Sequence, residues 1–533
     1  FLRRLDQLHA TPVAGTEGAH SPFFSPDGQS IAFFADGQLK RVAPVSGGAI
    51  VLADAPGDRG GSWSEDGTII FTPNYLPGVG LSRVSSSGGA VEVLTRPDPA
   101  AGEVTHRWPQ VLPGGRDVLF TAHRTLGNYD DATLVVQVLP RGARKIILKG
   151  GYHGRYLPSG HVVYVHEGTL FAIPFDLARL ETGGAAVPVV EQLAAAPVSA
   201  GAQFSVSNGG ILAYQVGKSA DQMLSTQWLD RSGKLSPLRS VPAIYRNPRF
   251  SPDGTKLAMQ IFDAKSSDIW VYEWGRDTMS RLTFDVFGVA YPVWAPDGRG
   301  IVFNSSKGNR LGNLYWQRAD GTGEAQRLTE SPNLQFSPAW HPSGKYLAFT
   351  EMSPETGYDV MILPVEDEGA SRLKVGQPTP FLNTRWSEGQ PAFSPSGRLL
   401  AYTSNESGRV EVYVRPFPGP GGRWEVSTEG GAYPTWSRDG RQLFYETPDE
   451  RLMTVSYAEQ GSSFHADKPR LWCETRIPLF RSYDYRSFDV HPDGQRLAVL
   501  KEASEPGEAK PDKVVLFLNF FDELRRLAPS ASR

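Results

Sequence analysis

The chain has 533 residues, of which 40% are hydrophobic and 21% charged, and its formal net charge is −3. This charge balance gives no electrostatic case for binding nucleic acid or an anionic membrane surface. The single cysteine, Cys473, excludes an intrachain disulfide and a cysteine-based metal site.

A short turn ending in glycine recurs eleven times, at spacings of 39 to 54 residues. In the copy Trp294–Gly298, proline presets the turn, aspartate bonds the backbone locally and glycine accepts a positive φ. Strand formers flank each turn, which predicts a β-hairpin. The final glycines are Gly28, Gly67, Gly115, Gly160, Gly210, Gly254, Gly298, Gly344, Gly397, Gly440 and Gly494.

Each repeat holds enough strand-forming segments for a four-stranded sheet. After Gly254, for example, come an apolar strand at Leu257–Met259, a third strand at Asp268–Tyr272 and a more polar fourth at Ser280–Thr283. Four antiparallel strands in about 45 residues are typical of a propeller blade. The sequence therefore predicts an all-β fold, a β-propeller array of about twelve blades.

The predicted array begins in the middle of a blade. Residues Phe1–Asp6 and Ala10–Val13 read as the last two strands of a blade whose first hairpin is missing. Single rings usually have four to eight blades, so we predict two six-bladed propellers, with the first half at residues 1–230 and the second at residues 231–533.

Two features bear on this division. The segment from Gln227 to Leu238 reads as a tight hairpin across the boundary, which keeps one large ring or an open horseshoe as the alternative. At the end of the chain, the last repeat supplies a third strand at Lys513–Leu518, followed by a short helix at Asp522–Leu527. The apolar run from Val514 to Phe521 is far too short to span a membrane.

The apolar-Ser-Pro-Asp-Gly-apolar repeat is similar to that of the TolB-like (WD40-like, PD40) β-propeller family, and the resemblance covers essentially the whole chain. Several longer stretches resemble the propeller region that follows the transmembrane helix in bacterial Ser/Thr protein kinases. These stretches are Pro44–Ala49, Gly102–Gln110, Glu167–Asp176, Trp228–Lys234 and Tyr413–Gly422. The resemblance implies an extracytoplasmic sensor or interaction module. The chain itself carries none of the kinase catalytic motifs.

Proline precedes the apolar turn residue by two positions in seven repeats, where we expect it to open the innermost strand of a blade. The residues just before it then rim the central channel and form the candidate binding site. They are His20, Arg59, His106, Arg107, Arg246, Tyr291, Gln390, Tyr433 and Arg486. A polar and aromatic rim suits a ligand at one mouth of the channel, and the alternative interpretation is a solvated loop rim.

Motifs that carry chemistry are missing from the sequence. There is no Gly-x-Ser-x-Gly nucleophile elbow, and His166-Glu167 lacks the second histidine of a zincin because position 170 is leucine. The turn aspartates are better explained by local turn bonding than by calcium. Trp63, Trp294, Trp340 and Trp436 recur at equivalent positions, where we expect them to fill the wedges between blades. We predict no catalytic residues, no metal and no cofactor.

The repeat scaffold therefore predicts recognition rather than catalysis. The leading hypothesis is a non-enzymatic binding or sensor module that takes a protein, peptide or envelope ligand, and the resemblance implies the extracytoplasmic region of a receptor-type Ser/Thr kinase. The alternatives are a TolB-like periplasmic interaction scaffold and a hydrolase with a site at the channel mouth. The expected location is the periplasm or cell surface if a membrane kinase is attached, and the cytoplasm otherwise.

Overall fold

The structure is a computed structural model. It describes residues 1–529 except 5–6, 8, 36, 45–46, 76–77, 124–128, 141, 197–198, 218–222, 263–266, 285–287, 308–311, 354–355, 368–371, 461–462, 478–484 and 503–513. Within these residues the chain is β-strand with one helix, Phe520–Leu527, close to the helix predicted from the sequence. In the same described part, no helix is long and apolar enough to cross a membrane.

The repeats fold into antiparallel sheets, most of them with four strands, which confirms the predicted all-β architecture. The repeat around Gly298 is representative, because its four strands pair in the order of the sequence. Its strands are Val289–Trp294, Gly300–Ser305, Asn313–Arg318 and Gln326–Arg327.

Side chains within the glycine-ended turns hold the turns together. The Ser251 hydroxyl donates to Asp253 at 2.5 Å, and the backbone N–H of Thr255 donates to the same carboxylate at 3.0 Å. Asp27 and Asp439 accept the equivalent two hydrogen bonds in their own turns. The predicted role of the repeat aspartates in local turn bonding is confirmed at these positions.

The chain divides into two compact units, which we call unit 1 and unit 2. Unit 1 comprises Phe1–Asp221 and Gly507–Arg533, and unit 2 comprises Gln222–Pro506. The predicted boundary between residues 230 and 231 differs from this division, since both strands of the hairpin Leu224–Asp230 and Leu235–Phe250 belong to unit 2.

Unit 1 contains, among its described residues, four sheets of at least four strands, one of three strands and one of two. At its start, Leu2 and Thr11 form an antiparallel bridge where the sequence predicts the last strands of a blade, and Leu5 and Asp6 of that segment lie outside the described residues. The strands by sheet are His20–Phe24, Ile31–Ala35, Gln38–Val42 and Ile50–Asp54; Gly61–Trp63, Thr68–Phe71, Ser82–Ser85 and Glu92–Val93; Thr105–Val111, Asp117–His123, Thr133–Val138 and Arg144–Lys149; Tyr152–Leu157, His161–His166, Thr169–Asp176, Glu181–Thr182 and Val187–Val190; Phe204–Val206, Leu212–Gln215 and Val514–Phe517; and Ala195–Ala196 with Gly201–Ala202.

Among its described residues, unit 2 contains six blades, numbered here in chain order of their innermost strands; blades 3 and 5 have five strands and the others four. Blade 1 begins in the second half of Leu235–Phe250, and blade 6 ends in the first half of that strand. The remaining strands are, in blade 1, Lys256–Phe262, Ser267–Glu273 and Thr278–Arg281; in blade 2, the four strands given above; in blade 3, Gln335–Trp340, Tyr346–Ser353, Gly357–Asp367, Leu373–Val375 and Thr379–Leu382; in blade 4, Glu388–Phe393, Leu399–Ser404, Glu411–Pro416 and Trp424–Glu425; in blade 5, Ala432–Trp436, Gln442–Glu446, Leu452–Gln460, Ser463–Ala466 and Arg470–Leu471; and in blade 6, Phe488–Val490, Arg496–Glu502 and Leu224–Asp230.

The six blades of unit 2 close into a ring. Leu224–Asp230, from the start of the unit, pairs along its whole length with Arg496–Glu502, from the end of the unit. The innermost strands then contact one another in a complete cycle, because Phe488–Val490 of blade 6 touches both Ala432–Trp436 of blade 5 and Leu235–Phe250 of blade 1. Blade 6 is thus built from both ends of the unit.

This closure corrects the predicted path of the last repeat. Leu224–Asp230 occupies the third position of blade 6, which the sequence assigns to Lys513–Leu518. The strand at Val514–Phe517 instead pairs with Leu212–Gln215 of unit 1. The number of blades in unit 1 stays a prediction.

A bulge interrupts the innermost strand of most blades. In blade 2, Ala290 pairs with Asn304 and Val293 with Val302, so Tyr291 and Pro292 together face a single residue of the next strand. The prolines therefore lie inside the strands and not at their first residue, contrary to the expectation from sequence. A bulge tolerates proline because the missing N–H breaks no ladder pair there.

The hydrophobic core lies between adjacent blades. Ile269 of blade 1 and Trp294, Ile301 and Phe303 of blade 2 belong to one buried cluster. The Trp294 indole N–H donates to the Arg249 carbonyl of blade 1 at 3.0 Å, and Trp436 makes the equivalent bond to blade 4. The structure confirms the inter-blade packing predicted for these two tryptophans.

Two turn glycines make it possible to measure how much a contact between blades contributes to stability. Gly344 and Gly397 have nearly the same φ, +71° and +73°, but an added Cβ at Gly344 meets nothing within 4 Å, whereas at Gly397 it collides with the His341 ring of blade 3. The His341 Nε2 also bonds the Gly397 carbonyl at 3.0 Å.

We expect Gly344→Ala to lower the free energy of unfolding by about 1–2 kcal/mol through backbone strain alone. Gly397→Ala should lower it by about 1 kcal/mol more, because the contact with His341 is disturbed as well. Urea unfolding of both variants tests this, and equal losses would show that the contact between blades 3 and 4 adds no stability.

Candidate ligand-binding site

Five residues of unit 2 share an unusual backbone conformation at the same place in their repeats. Each lies seven residues before a turn glycine, is followed by proline and has a left-handed φ between 48° and 56°. Non-glycine residues adopt this region rarely, at a cost of about 1–3 kcal/mol each, and such residues cluster at functional sites. The five are Asn247, Tyr291, Ser337, Gln390 and Tyr433. We call them the left-handed ring.

The left-handed ring surrounds a narrow pocket on the axis of unit 2. Residues from all six blades line it, and the lining residue of blade 6 is Arg486. The pocket is narrow, and its empty space together with the adjoining solvent measures about 390 Å³. Four prolines add apolar wall: Pro292, Pro338, Pro391 and Pro434.

Four of the residues predicted to rim a channel line this pocket: Tyr291, Gln390, Tyr433 and Arg486. Arg246 does not line it. The Arg246 side chain is buried beside the pocket, where it donates to the Tyr245 carbonyl at 2.8 Å.

Side chains of the left-handed ring bond to the backbone of the neighbouring blade. The Gln390 Oε1 accepts the Tyr433 N–H at 2.7 Å, which joins blades 4 and 5. The Asn247 Oδ1 accepts the Arg486 N–H at 2.9 Å, and the Arg486 carbonyl accepts the Asn247 N–H at 3.1 Å, which joins blades 1 and 6. These bonds fix the positions of the pocket walls.

An aromatic pair includes one of the lining residues of the pocket. Tyr291 stacks on Tyr485, with ring centroids 6.3 Å apart and an interplanar angle of 9°. The Arg246 guanidinium lies 5.5 Å from the centroid of the Tyr485 ring, within the range of a cation–π contact. The pocket therefore combines rigid aromatic surface with cationic side chains.

Two guanidinium groups share one carboxylate at the pocket. Asp489 Oδ1 lies 3.4 Å from Arg486 Nη2 and 3.7 Å from Arg249 Nη1. Asp489 Oδ2 accepts the Phe250 N–H at 2.8 Å, which fixes the carboxylate against blade 1. Arg486 also donates from Nε to the Phe488 carbonyl at 2.6 Å and from Nη2 to the Thr435 hydroxyl.

Burial shifts the ionisation of these groups. It lowers the pKa of Arg249 to about 9, with the neighbouring Arg486 contributing, and it lowers the pKa of Arg486 as well. Burial also raises the pKa of Glu446 to about 7, although the Ser487 hydroxyl donates to its carboxylate and Arg486 is near. Arg249 remains charged at neutral pH, whereas Glu446 is partly protonated.

The remaining predicted rim residues belong to unit 1 and form two separate groups. In the first, His20 Nε2 lies 3.6 Å from Asp58 Oδ2, and the Arg59 guanidinium stacks 4.4 Å from the Tyr75 ring centroid. Burial raises the pKa of Asp58 to about 7 even though Arg59 acts to lower it.

The second group is buried within the sheet that begins at Thr105. His106 bonds the Thr95 hydroxyl at 2.7 Å and the Glu103 carboxylate at 3.0 Å, and burial lowers the pKa of its imidazole. Arg107 donates to the Thr105 hydroxyl at 3.1 Å and lies 4.4 Å from the Tyr129 ring centroid. Both side chains are satisfied inside the fold.

Ser21, His20 and Asp58 of unit 1 lie in the order of a Ser-His-Asp catalytic triad. His20 Nδ1 lies 3.5 Å from the Ser21 hydroxyl, and its Nε2 faces Asp58 as described above. Both distances exceed the 2.6–3.2 Å typical of a paired nucleophile and base, and the raised pKa of Asp58 weakens it as a fixed negative partner. Ser21 has the left-handed φ of the repeat position, so its strain needs no catalytic explanation.

The described residues also form no site for a metal ion. Within the described residues, no three histidine, cysteine, aspartate or glutamate side chains are grouped so as to hold a metal ion. The chemistry that the pocket of unit 2 offers is hydrogen bonding, aromatic contact and positive charge.

Sequence reasoning missed three residues of the pocket: Asn247, Ser337 and Arg249. Asn247 and Ser337 occupy the same repeat position as Tyr291, so the proline after each of them was a sufficient signal. Arg249 comes after the proline, and no local pattern distinguishes it from the other residues of an inner strand.

Comparisons with known proteins agree with this fold. The family model described as the TolB beta propeller domain (PD40) matches residues 151–379, which come from both units. This match supports the TolB-like β-propeller family that the repeat resembles. The putative TolB from Agrobacterium tumefaciens has a solved structure that is 14% identical, covers 52% of this chain and 98% of its own, and gives a TM-score of 0.40.

Two curated proteins match parts of the sequence. The uncharacterized peptidase YuxL of Bacillus subtilis (strain 168) is 28% identical over 196 residues, which are 30% of this chain and 29% of that protein. The Tol-Pal system protein TolB of Anaeromyxobacter dehalogenans (strain 2CP-C) is 32% identical over 119 residues, 22% of this chain and 26% of that protein. The chain thus spans less than a third of the length of either relative.

The buried carboxyl of Glu446 makes the stability of unit 2 depend on pH. Its unperturbed pKa is 4.5 and its pKa in the folded chain is about 7. Between these values the folded protein binds more protons than the unfolded chain, so the free energy of unfolding falls as pH rises. The expected loss from pH 4.5 to above pH 7 is about 3 kcal/mol.

Glu446→Gln should remove most of this pH dependence, because glutamine stays neutral and keeps an acceptor for Ser487. Urea unfolding at pH 5 and pH 8 measures it, with Glu429→Gln as the control at an exposed glutamate of the same unit. The same slope in the wild type and in Glu446→Gln would contradict the assignment.

Proposed function

We propose that the chain is a non-enzymatic binding module in which the axial pocket of unit 2 holds a segment of a protein or peptide partner. The observation that carries this proposal is the left-handed ring, because five strained residues from consecutive blades converge on one pocket. The left-handed φ alone does not mark a site, because Ser21, Trp108 and His153 of unit 1 have it at the same repeat position. In unit 2 the five residues also converge with two arginines on one pocket. The similarity to the Tol-Pal system protein TolB supports a role in protein interaction.

The pocket favours binding over catalysis for a chemical reason. The Gln390, Asn247 and Arg486 side chains of the pocket bond backbone groups. The His20, Ser21 and Asp58 group in unit 1 provides no activated nucleophile at its observed distances. We therefore favour a binding module over a peptidase, although a stretch of the chain is similar to the uncharacterized peptidase YuxL.

The wider setting of the module is a second part of the proposal. The stretches that resemble kinase-associated propellers, such as Tyr413–Gly422, favour the extracytoplasmic sensor region of a bacterial receptor-type Ser/Thr kinase, and a TolB-like periplasmic scaffold is the alternative. The parent reading frame decides between them. A kinase domain and one membrane helix ahead of Phe1 support the sensor, whereas a signal peptide without a kinase supports the scaffold.

The binding proposal is tested by plugging the pocket. Ser337 is small, partly exposed and part of the pocket lining, so Ser337→Trp should fill the pocket while keeping the outer surface unchanged. Ser407→Trp is the matched control, since Ser407 is an exposed serine of unit 2 that does not line this pocket.

Peptides are selected from a random displayed library on the wild-type chain, and their affinities for both variants are measured by calorimetry. We expect the selected peptides to bind Ser407→Trp as they bind the wild type and to lose at least about tenfold in affinity for Ser337→Trp, a difference of about 1.4 kcal/mol. Equal binding to Ser337→Trp would place recognition elsewhere, and a selection that enriches no peptide would contradict the proposal.

A further inference from the structure

The charges around the pocket of unit 2 are not balanced. Arg249 and Arg486 both line the pocket, and Asp489 is the carboxylate that both contact. Its Oδ1 lies 3.4 Å and 3.7 Å from the two guanidiniums, whereas strong charge-assisted bonds measure about 2.7–2.9 Å. Two cations thus share one carboxylate oxygen, at distances longer than those of strong charge-assisted bonds.

The Arg249 guanidinium has unused donors. Within the described residues it makes no hydrogen bond, and the ion pair with Asp489 Oδ1 is its charged contact. Its side chain is 24% exposed, and Arg249 is one of the residues that line the pocket. A guanidinium has five N–H donors in a fork that matches a carboxylate, so an acceptor is missing at this point.

Other charged groups near the two arginines do not supply that acceptor. Glu446 bonds Ser487, and burial raises its pKa to about 7, which favours its neutral form. Arg438 adds a further positive charge near Asp489 and donates to the Ser251 and Pro252 carbonyls. Arg246 is bonded to the Tyr245 carbonyl.

The size and walls of the pocket restrict the ligand. The pocket is narrow, which favours a planar carboxylate with two oxygens over a tetrahedral phosphate with four. The proline walls and the Tyr291 ring then offer apolar contact to the group that carries the charge.

We propose that the axial pocket of unit 2 binds a single carboxylate on an apolar stem, held by Arg249 and Arg486 in place of the missing acceptor. This inference rests on the proposed function, since it names the chemistry that the same pocket recognises. The carboxylate belongs either to a small free acid or to the C-terminus of a peptide. The two sources share the same head group and differ in the size of the group attached to it.

Matched acids and amides test the charge requirement. The full chain is titrated with butyrate, butyramide, inorganic phosphate and the peptide acetyl-Ala-Ala-Ala-Val as its free acid and as its amide. We expect an acid to bind and raise the unfolding temperature, and its amide to bind at least tenfold more weakly. Binding of butyrate as tight as that of the peptide acid identifies a free acid as the ligand, and binding of the peptide acid alone identifies a chain terminus.

Two variants should change affinity in opposite directions. Arg249→Gln removes the free guanidinium and should weaken binding of the acid at least tenfold. Asp489→Asn keeps an acceptor for the Phe250 N–H but removes the competing charge, so it should strengthen binding severalfold. Arg299→Gln, at an exposed arginine of unit 2 paired with Asp297, serves as the control and should bind as the wild type does. Circular dichroism checks that each variant is folded.

Three results would overturn the inference: acids and amides of equal affinity, phosphate that binds more tightly than butyrate, or acid binding unchanged in both folded Arg249→Gln and Asp489→Asn. Peptides whose binding is lost in Ser337→Trp but unchanged in Arg249→Gln would leave the pocket as the binding site and refute only the carboxylate.

Discussion

The pairing of Leu224–Asp230 with Arg496–Glu502 is the constraint on which the organisation of unit 2 depends. It joins strands more than 260 residues apart in sequence through seven consecutive register pairs. Closing so long a loop costs only slightly more entropy than closing a short one, and the ladder with its buried faces offsets that cost. Because of this pairing, blade 6 contacts blade 1 and the six innermost strands meet around one axis.

The site follows from this closure in two steps. Closure brings Asn247 into contact with Arg486. The hydrogen bonds between these two residues join the first and last blades. It also places Asp489 between Arg249 and Arg486, which no single repeat does on its own. In blades 1 to 5, the bulge at the proline then turns one residue per blade into a left-handed conformation at the pocket. The glycine-ended turns build the blades, and the residues seven positions before them build the site.

Much of this organisation was readable from the sequence. The spacing of the turns predicted four-stranded blades, and the proline after Tyr291, Gln390 and Tyr433 marked three pocket residues, because both signals are local and repeat along the chain.

The contacts made by closure could not be predicted from the sequence. Arg249 pairs with Asp489, which lies 240 residues away in the sequence. The strand at Val514–Phe517 has the sequence of an ordinary third strand, and only the structure shows that it pairs with Leu212–Gln215 of unit 1. His106 and Arg107 come just before Trp108, which holds the equivalent repeat position. Their neighbours Thr95, Glu103 and Tyr129 enclose them.

Unit 2 is a ring closed by strands from its two ends. Native-state hydrogen exchange, resolved by residue, measures this most directly. The account predicts that amides of Leu224–Asp230 and Arg496–Glu502 that bond across this pair exchange together, as slowly as those of the buried strand Leu399–Ser404 in blade 4, because opening the pair opens the ring. Fast exchange at both closing strands, with blades 2 to 5 still protected, would contradict it.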